Sequence, residues 1–202
     1  MVSSKYKFIF SEITKTGTTS VCRALSPCVK KNWFRGKKCH MFMIAHKNDL
    51  GSKIFDEYFK FSFVRNPWDK MISQFHYRKK HYGKKFKFDS TCPDAFNIFV
   101  EKLYEDFKKR GKLKFTAMNP FQKPYIIDEN QKLVVDFLGR YESLEEDFNF
   151  ICNQIGFENP KLPHRNKSNH KTYIKYYNTK SVDLVAEIYK EDVEFLKYEY
   201  GK

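Results

Sequence analysis

The sequence lacks any long apolar stretch. No run in its 202 residues approaches the ~20 consecutive apolar residues that a membrane-spanning helix requires. The first five residues also lack the apolar segment of a secretory signal. We therefore expect a protein that has no transmembrane segment and is located in the cytoplasm.

Cysteine is sparse, and its spacing excludes several classes of site. Five cysteines are scattered along the chain, and no two of them form a C-x-x-C pair or a zinc-binding pattern. Such a set is typical of reduced thiols in a cytoplasmic compartment, where each thiol serves as a small core residue. We expect neither a disulfide framework nor a bound metal.

Acidic residues are also few. The chain has 24 Asp and Glu residues against 38 Lys and Arg residues, which gives a formal net charge of +14. Basic clusters at 30–38, 78–87 and 108–114 would attract polyanions through counterion release. None of the recognised nucleic-acid-binding motifs is present, so we expect no specific nucleic-acid partner. A basic protein that binds polyanions without catalysis remains one alternative.

Residues 8–20 have the pattern of a strand, a polar turn and the start of a helix. Residues 8–10 are apolar, and Gly17 permits a tight turn and close approach of the backbone. Residues 18–20 open a helix whose first amides and positive dipole end stabilise an anion. With Lys15 in the same turn, the segment predicts a phosphate-type site, although a simple helix cap beside a solvated lysine remains open.

This turn lacks the order of a nucleotide-binding P-loop. The pattern G-x-x-x-x-G-K-[ST] needs a lysine after the second glycine and a hydroxyl for magnesium. Here Lys15 precedes the only glycine of the turn, and Glu12 stands where the first glycine would be. No carboxylate is evident for magnesium. A kinase-like nucleotide enzyme is therefore kept only as an alternative.

A second strand, turn and helix follow about 50 residues later. Residues 61–64 predict a buried strand, Asn66 is a good N-cap, and Pro67 suits the first helical position. Arg65 lies at the carboxyl end of the strand, where open α/β sheets bind ligands, and its guanidinium suits fork-like binding of a phosphate. A structural ion pair is the other interpretation of Arg65. Two such turns indicate a ligand with two separated phosphate-type groups.

The two elements, in this order, resemble the sulfotransferase superfamily that uses 3′-phosphoadenosine 5′-phosphosulfate, especially its carbohydrate-type (sulfotransferase family 2-like) branch. In that family a K-x-G-[ST]-[ST] turn holds the 5′-phosphosulfate. A V-R-[ND]-P-x-x-R-x-x-S-x-[YF] element holds the 3′-phosphate through its Arg and Ser. The likeness continues over nearly the whole chain, in the segments 122–125, 135–148, 162–168 and 189–195. Two positions depart from the family pattern. Lys70 replaces the usual Arg and is assigned no phosphate contact, and Phe75 stands where Tyr is frequent.

The resemblance implies a fold, a reaction and a set of ligand contacts. The expected fold is a single α/β domain over residues 1–202, with a central parallel sheet flanked by helices and a P-loop-like nucleotide site. The expected reaction moves a sulfonate group, without a metal, to an acceptor hydroxyl of a carbohydrate, leaving adenosine 3′,5′-bisphosphate. The basic cluster after Ser73 would suit an acidic acceptor. The donor contacts that the resemblance implies are Lys15, Thr16, Gly17, Thr18, Thr19, Ser20, Arg65, Ser73, Arg140, Tyr141 and Lys167.

Sulfonate transfer needs a base for the acceptor proton and positive charge on the leaving oxygen. Lys15 suits the leaving oxygen because it shares the turn that would hold the phosphosulfate. His46 is the first candidate base, since it follows the apolar residues 41–45 and an imidazole can take a proton near neutral pH. Relatives carry a His in a similar place. Glu12, beside the same turn, is the second candidate base.

The hydrophobic pattern predicts alternating strands and helices, which favours a parallel sheet covered on both faces. Residues 128–131 predict a turn between two short strands, and the segments 83–92 and 157–178 predict loops. Strands are expected near 5–11, 39–45, 59–64 and 132–138, and helices near 18–27, 47–57, 67–82, 93–109, 143–156 and 179–198.

Overall fold

The computed structural model describes residues 1–29, 40–82, 92, 94–111, 113, 119–158, 160–163 and 173–202. The chain divides into two compact units, each assembled from two separate stretches. The first unit comprises Met1–Arg65 and Phe121–Lys167, and the second comprises Asn66–Pro120 and Ser168–Lys202. That residues 1–202 act as one domain stays a prediction.

The first unit contains a four-stranded, mostly parallel sheet. Its strands lie in the order β1 (Val2–Ser3), β2 (Phe8–Ser11), β3 (Phe59–Val64) and β4 (Phe137–Arg140). β1 is antiparallel to β2, whereas β2, β3 and β4 run parallel to one another. The register pairs Ser11 with Ser62 and Val64 with Arg140, so the three parallel strands end at the same edge. The fold class is therefore α/β, as predicted, and a P-loop-like nucleotide site stays a prediction.

The core of the first unit is built on phenylalanines of β2 and β3. Phe8, Phe10, Phe61 and Phe63 lie on one face of the sheet and are fully buried. Ile9 and Ser62, on the other face, are fully buried as well, as expected for parallel strands that are covered on both faces. The Phe10 and Phe61 rings stack with centroids 4.9 Å apart, and Phe63 meets Phe10 edge-on at 6.2 Å. Aromatic side chains favour strands because they pack well on a pleated surface, and this packing fixes the strand ends that form the site.

Gly139 in β4 leaves room for one of these rings. A Cβ atom added at Gly139 would lie 2.5 Å from Cε1 and 2.6 Å from Cδ1 of Phe63. We expect Gly139→Ala to lower the free energy of unfolding by about 1–3 kcal/mol, the usual cost of overpacking a core. Urea denaturation measures this loss. Combining it with Phe63→Leu should cost less than the sum of the single changes, and simple additivity would show that the ring is not the cause.

Helices account for most of the remaining described residues. None of these described helices combines the length and apolarity that crossing a bilayer demands. The first unit holds α1 (Thr18–Ala24), α2 (Met43–Leu50), α3 (Ser52–Glu57) and α6 (Leu144–Gln154). The second unit holds α4 (Pro67–Tyr82), α5 (Ala95–Arg110), α7 (Thr179–Ile188) and α8 (Lys190–Leu196). Short 3-10 turns lie at Ser26–Cys28, Lys123–Tyr125, Tyr141–Ser143 and Tyr173–Tyr176.

Several side chains of the second unit form hydrogen bonds with its backbone. The predicted cap is present, since Asn66 Oδ1 accepts from the N–H of Trp68 at 3.1 Å. The indole of Trp68 donates to the carbonyl of Val182 at 3.0 Å, which joins α4 to α7. The helix α7 starts with a capping box between Asn178 and Ser181.

The pattern-based boundaries are confirmed in some places and wrong in others. The strand at 59–64 and the helix at 67–82 are confirmed as β3 and α4. The strand predicted over 39–45 is wrong, because α2 begins at Met43. A short apolar run has no period that separates strand from helix, and here the helix formed. The helix predicted over 179–198 is interrupted at Tyr189. Residues 83–91 of the first predicted loop and residues 159 and 164–172 of the second lie outside the described residues.

Candidate active site

Hydroxyl groups of the loop between β2 and α1 shape its backbone. Thr16 Oγ1 donates to the carbonyl of Ile13 at 3.0 Å, and Thr18 Oγ1 donates to the same carbonyl. Both threonines are buried, as is Ser20, whereas Thr19 is exposed at the start of the helix. The Thr16 and Thr18 hydroxyls therefore stabilise the backbone conformation of this turn.

The same loop uses left-handed backbone angles at two residues. Lys15 has φ +68° and Gly17 has φ +80°. A Cβ atom at Gly17 would lie 2.8 Å from Leu144 Cδ2 and 3.3 Å from Tyr141 Cδ2, so these side chains would have to shift, and the left-handed φ is the main reason for glycine here. A left-handed lysine is an unfavourable conformation of the kind that clusters at functional sites.

Lys15 has an unusual charge environment. Its side chain is half-buried, and burial, together with the nearby positive charge of Arg65, lowers its pKa to about 8. Both effects disfavour the ammonium form, and a bound anion would counter both of them. This arrangement therefore suits a negatively charged ligand.

Arg65 joins the ends of the three parallel strands. Its Nη1 donates to the carbonyl of Lys15 at 3.1 Å, in the loop that follows β2. Its guanidinium lies over the ring of Tyr141, 3.8 Å from the centroid, directly after β4. Only 4% of Arg65 is exposed. The structure thus brings together three residues that the sequence assigned to donor binding: Lys15, Arg65 and Tyr141.

Glu12 and His40 lie beside this edge. The Glu12 carboxylate is buried, 3.3 Å from the amino group of Met1. The main-chain carbonyl of Glu12 is 2.9 Å from Nδ1 of His40. Because a carbonyl only accepts, Nδ1 is the donor, and Nε2 holds the lone pair of the neutral ring. A half-buried His40 in this tautomer is suited to accept a proton at Nε2.

Sequence reasoning passed over His40 because it assumed a strand at 39–45. A strand there would have put its carboxyl end, and hence His46, at the functional edge. Instead α2 begins at Met43, and His40, ahead of the helix, meets the end of β2. His46 lies inside α2, where it is 1% exposed and its N–H donates to the Phe42 carbonyl. The predicted position of His46 after a strand is wrong, and its catalytic role stays a prediction.

The other predicted donor contacts are distributed over the chain. Arg140 is exposed at the end of β4, and its N–H donates to Asp147 Oδ2 at 2.6 Å. Ser73 is half-buried on α4 in the second unit. Lys167 lies outside the described residues. The roles of all three residues stay predictions.

Lys70, which departs from the family pattern, has an internal role in the second unit. It is 3% exposed, its Nζ donates to the carbonyl of Pro120, and it lies 5.5 Å from the centroid of the Tyr189 ring. That Lys70 makes no phosphate contact stays a prediction. Among the described residues, no group of three or more His, Cys, Asp or Glu side chains is arranged to hold a metal ion.

Comparison with known proteins adds two findings. The model of the family described as "Sulfotransferase family" matches residues 1–199 of the chain. An uncharacterized protein of Archaeoglobus fulgidus is 35% identical to the chain over 112 residues, which cover 54% of this chain and 78% of that protein.

Proposed function

The chain belongs to the sulfotransferase family, and we propose that it moves a sulfonate group from 3′-phosphoadenosine 5′-phosphosulfate to a hydroxyl group of a carbohydrate. One observation supports this donor above the others. Arg65 donates to the main-chain carbonyl of Lys15, and its charge acts on the Lys15 ammonium, so cationic groups that follow two strand ends lie at one edge of the sheet. A ligand with two separated anionic groups is the natural counterpart of that pair.

In this proposal the two cations bind opposite ends of the donor. The loop that contains Lys15 and Gly17 receives the 5′-phosphosulfate, because its backbone is turned for close approach. Arg65 receives the 3′-phosphate through its guanidinium, which suits planar, paired contacts with phosphate oxygens. The Tyr141 ring under the guanidinium holds its plane.

The chemistry divides between a leaving group and an acceptor. The donor supplies a sulfur that the acceptor oxygen attacks in line, so that a sulfur–oxygen bond to the acceptor forms as the one to phosphate breaks. Lys15 then stabilises the negative charge that appears on the phosphate oxygen. A base removes the acceptor proton as the new bond forms.

Three side chains are candidates for the base that removes the acceptor proton. His46 and Glu12 are the candidates from the sequence, and His40 is the candidate that the geometry supports. The Nε2 lone pair of His40 follows from its bond to the Glu12 carbonyl, and its half-buried ring is more accessible than the fully buried His46. We propose His40 as the base, and substitutions of His46 and Glu12 test the two alternatives.

Loss of Arg65 is the direct test of the donor site. Arg65→Ala removes a charge-assisted contact with the 3′-phosphate, worth about 1.5–3 kcal/mol. Calorimetry should therefore show at least about tenfold weaker binding of adenosine 3′,5′-bisphosphate, with little change for adenosine 5′-phosphate. Arg23→Ala, at an exposed arginine of α1, is the matched control. Unchanged affinity for the bisphosphate in Arg65→Ala would remove the assignment.

The same ligand distinguishes the proposed reaction from its alternatives. Tight binding of adenosine 3′,5′-bisphosphate without magnesium supports a sulfotransferase. Preference for ATP with magnesium would indicate a kinase, and binding of neither would leave a basic polyanion-binding protein. Incubation with labelled donor and a panel of neutral glycans, acidic glycans, phenols and small alcohols then tests the carbohydrate acceptor and its charge.

A further inference from the structure

Gln122 makes an unusual contact with the backbone of Arg65. Its side-chain Oε1 accepts from the N–H of Arg65 at 2.9 Å, and its Nε2 donates to the carbonyl of Arg65, also at 2.9 Å. Gln122 is completely buried. One amide side chain thus binds both polar groups of a single backbone residue.

The position of Arg65 in the sheet explains why such a contact is needed. The ladder between β3 and β4 ends with Val64 opposite Arg140, so Arg65 is one residue beyond its last pair. Buried backbone N–H and C=O groups need partners, and the Gln122 amide supplies the same donor and acceptor that a neighbouring strand would supply. Gln122 thus continues the strand-like hydrogen bonding of β3 by one residue, to Arg65.

Gln122 is itself firmly anchored. It precedes the 3-10 turn Lys123–Tyr125, and its carbonyl accepts from the N–H of Tyr125 at 3.0 Å. The Tyr125 ring is buried and meets the Phe42 ring edge-on at 4.8 Å. The amide of Gln122 therefore holds Arg65 against a packed part of the first unit.

Resting on the proposed function, we infer that Gln122 is a positioning residue that fixes Arg65 for the 3′-phosphate. Gln122 holds the backbone of Arg65, the Tyr141 ring contacts the guanidinium, and the Lys15 carbonyl accepts from one of its nitrogens. Preorganised groups bind more tightly because less freedom is lost on binding. Gln122 does not touch the ligand, and it acts on one phosphate of the donor through Arg65.

Gln122→Met tests this role, because methionine keeps the length of the side chain and removes both hydrogen bonds. Calorimetry should show about tenfold weaker binding of adenosine 3′,5′-bisphosphate, an effect typical of residues that orient a ligand-binding group. Affinity for adenosine 5′-phosphate, which lacks the 3′-phosphate, should stay within about twofold. Gln154→Met, the same change at an exposed position of α6, is the control and should alter neither affinity.

Two further measurements separate positioning from mere structural support. A structural role would lower the unfolding temperature but leave the ratio of the two affinities unchanged, and that result would overturn the inference. Adding Gln122→Met to Arg65→Ala should cause no further loss of bisphosphate affinity, since the group that Gln122 positions is gone. A full additional loss would equally count against it.

The inference and the proposed function fail in different ways. If the wild-type chain does not bind the bisphosphate, the proposed donor is wrong. If the wild-type chain binds it and Gln122→Met keeps the same ratio of affinities, only the role of Gln122 is wrong. Should Gln122→Met fail to fold, Gln122→Glu is the second variant. It keeps the length of the side chain and an acceptor oxygen for the N–H of Arg65, and it removes the N–H that donates to the carbonyl of Arg65. The same selective loss is then expected.

Discussion

Replacing Lys15 with Met should lower the turnover of sulfonate transfer by roughly 10²–10³-fold, the range seen when one preorganised charge-stabilising group is lost. Negative charge builds on the leaving oxygen mainly in the transition state, so the ammonium should contribute more to turnover than to donor binding. Steady-state assays with labelled donor measure the first effect, and calorimetry with adenosine 3′,5′-bisphosphate measures the second. If affinity falls while turnover is retained, Lys15 is a binding residue only.

The pH dependence of binding provides the control for this prediction. Burial and Arg65 lower the pKa of Lys15 to about 8, so the free protein loses this charge as the pH rises through that value. A bound phosphate favours the ammonium and raises the pKa again, so binding above pH 8 takes up a proton. Affinity for the bisphosphate should fall there by up to about tenfold per pH unit. Lys15→Met should abolish this dependence, and Lys15→Arg, which stays charged, should shift it out of the range.

Replacing His40 with Asn should lower turnover by roughly 10²–10⁴-fold, the usual contribution of a general base. Asn can form a hydrogen bond but cannot accept a proton, so the loss isolates the proton transfer. Affinity for adenosine 3′,5′-bisphosphate should stay nearly intact, because the base faces the acceptor. The same assay and the same calorimetric titration measure both quantities.

His46→Asn is the matched comparison. His46 is 1% exposed within α2. We therefore expect its replacement to reduce the free energy of unfolding and to leave the turnover of the folded variant near normal. A large loss of turnover in a folded His46→Asn variant, with near-normal turnover in His40→Asn, would assign the base to His46 instead. If both variants keep near-normal turnover, Glu12→Gln is the next substitution to test.

Strong local patterns predicted the fold where they were present. The apolar run before Arg65 and the Asn-Pro pair after it predicted the exact bounds of β3 and α4. Burial favours the strand up to Val64, and capping by Asn66 starts the helix directly after it. The two-residue strand β1 is too short to produce a pattern, and it exists only through pairing with β2. The start of α2 at Met43 depends on tertiary packing that a short apolar run does not encode.

The sequence indicated which charged residues belong to the candidate site, but not which residues they contact. Lys15 and Arg65 stand out in the sequence because each lies in a polar turn that follows an apolar strand. The sequence could not indicate that Arg65 would bond to the Lys15 carbonyl, that Gln122 would bracket Arg65, or that His40 would meet Glu12. Each contact joins residues far apart in the chain, so it depends on the tertiary structure and leaves no local pattern in the sequence.

The separation of these partners along the chain has a consequence for biosynthesis. Lys15 precedes Arg65 by 50 residues and Gln122 follows it by 57, so the first unit is complete only when its second stretch, which begins at Phe121, has joined the first. Such long-range closure is slow, and a ribosome-bound nascent chain that ends before Phe121 has the guanidinium but no amide to hold it. Donor affinity should therefore arise late, after β4 has joined β3. A nucleotide that binds only the finished site would then favour maturation of the chain by mass action.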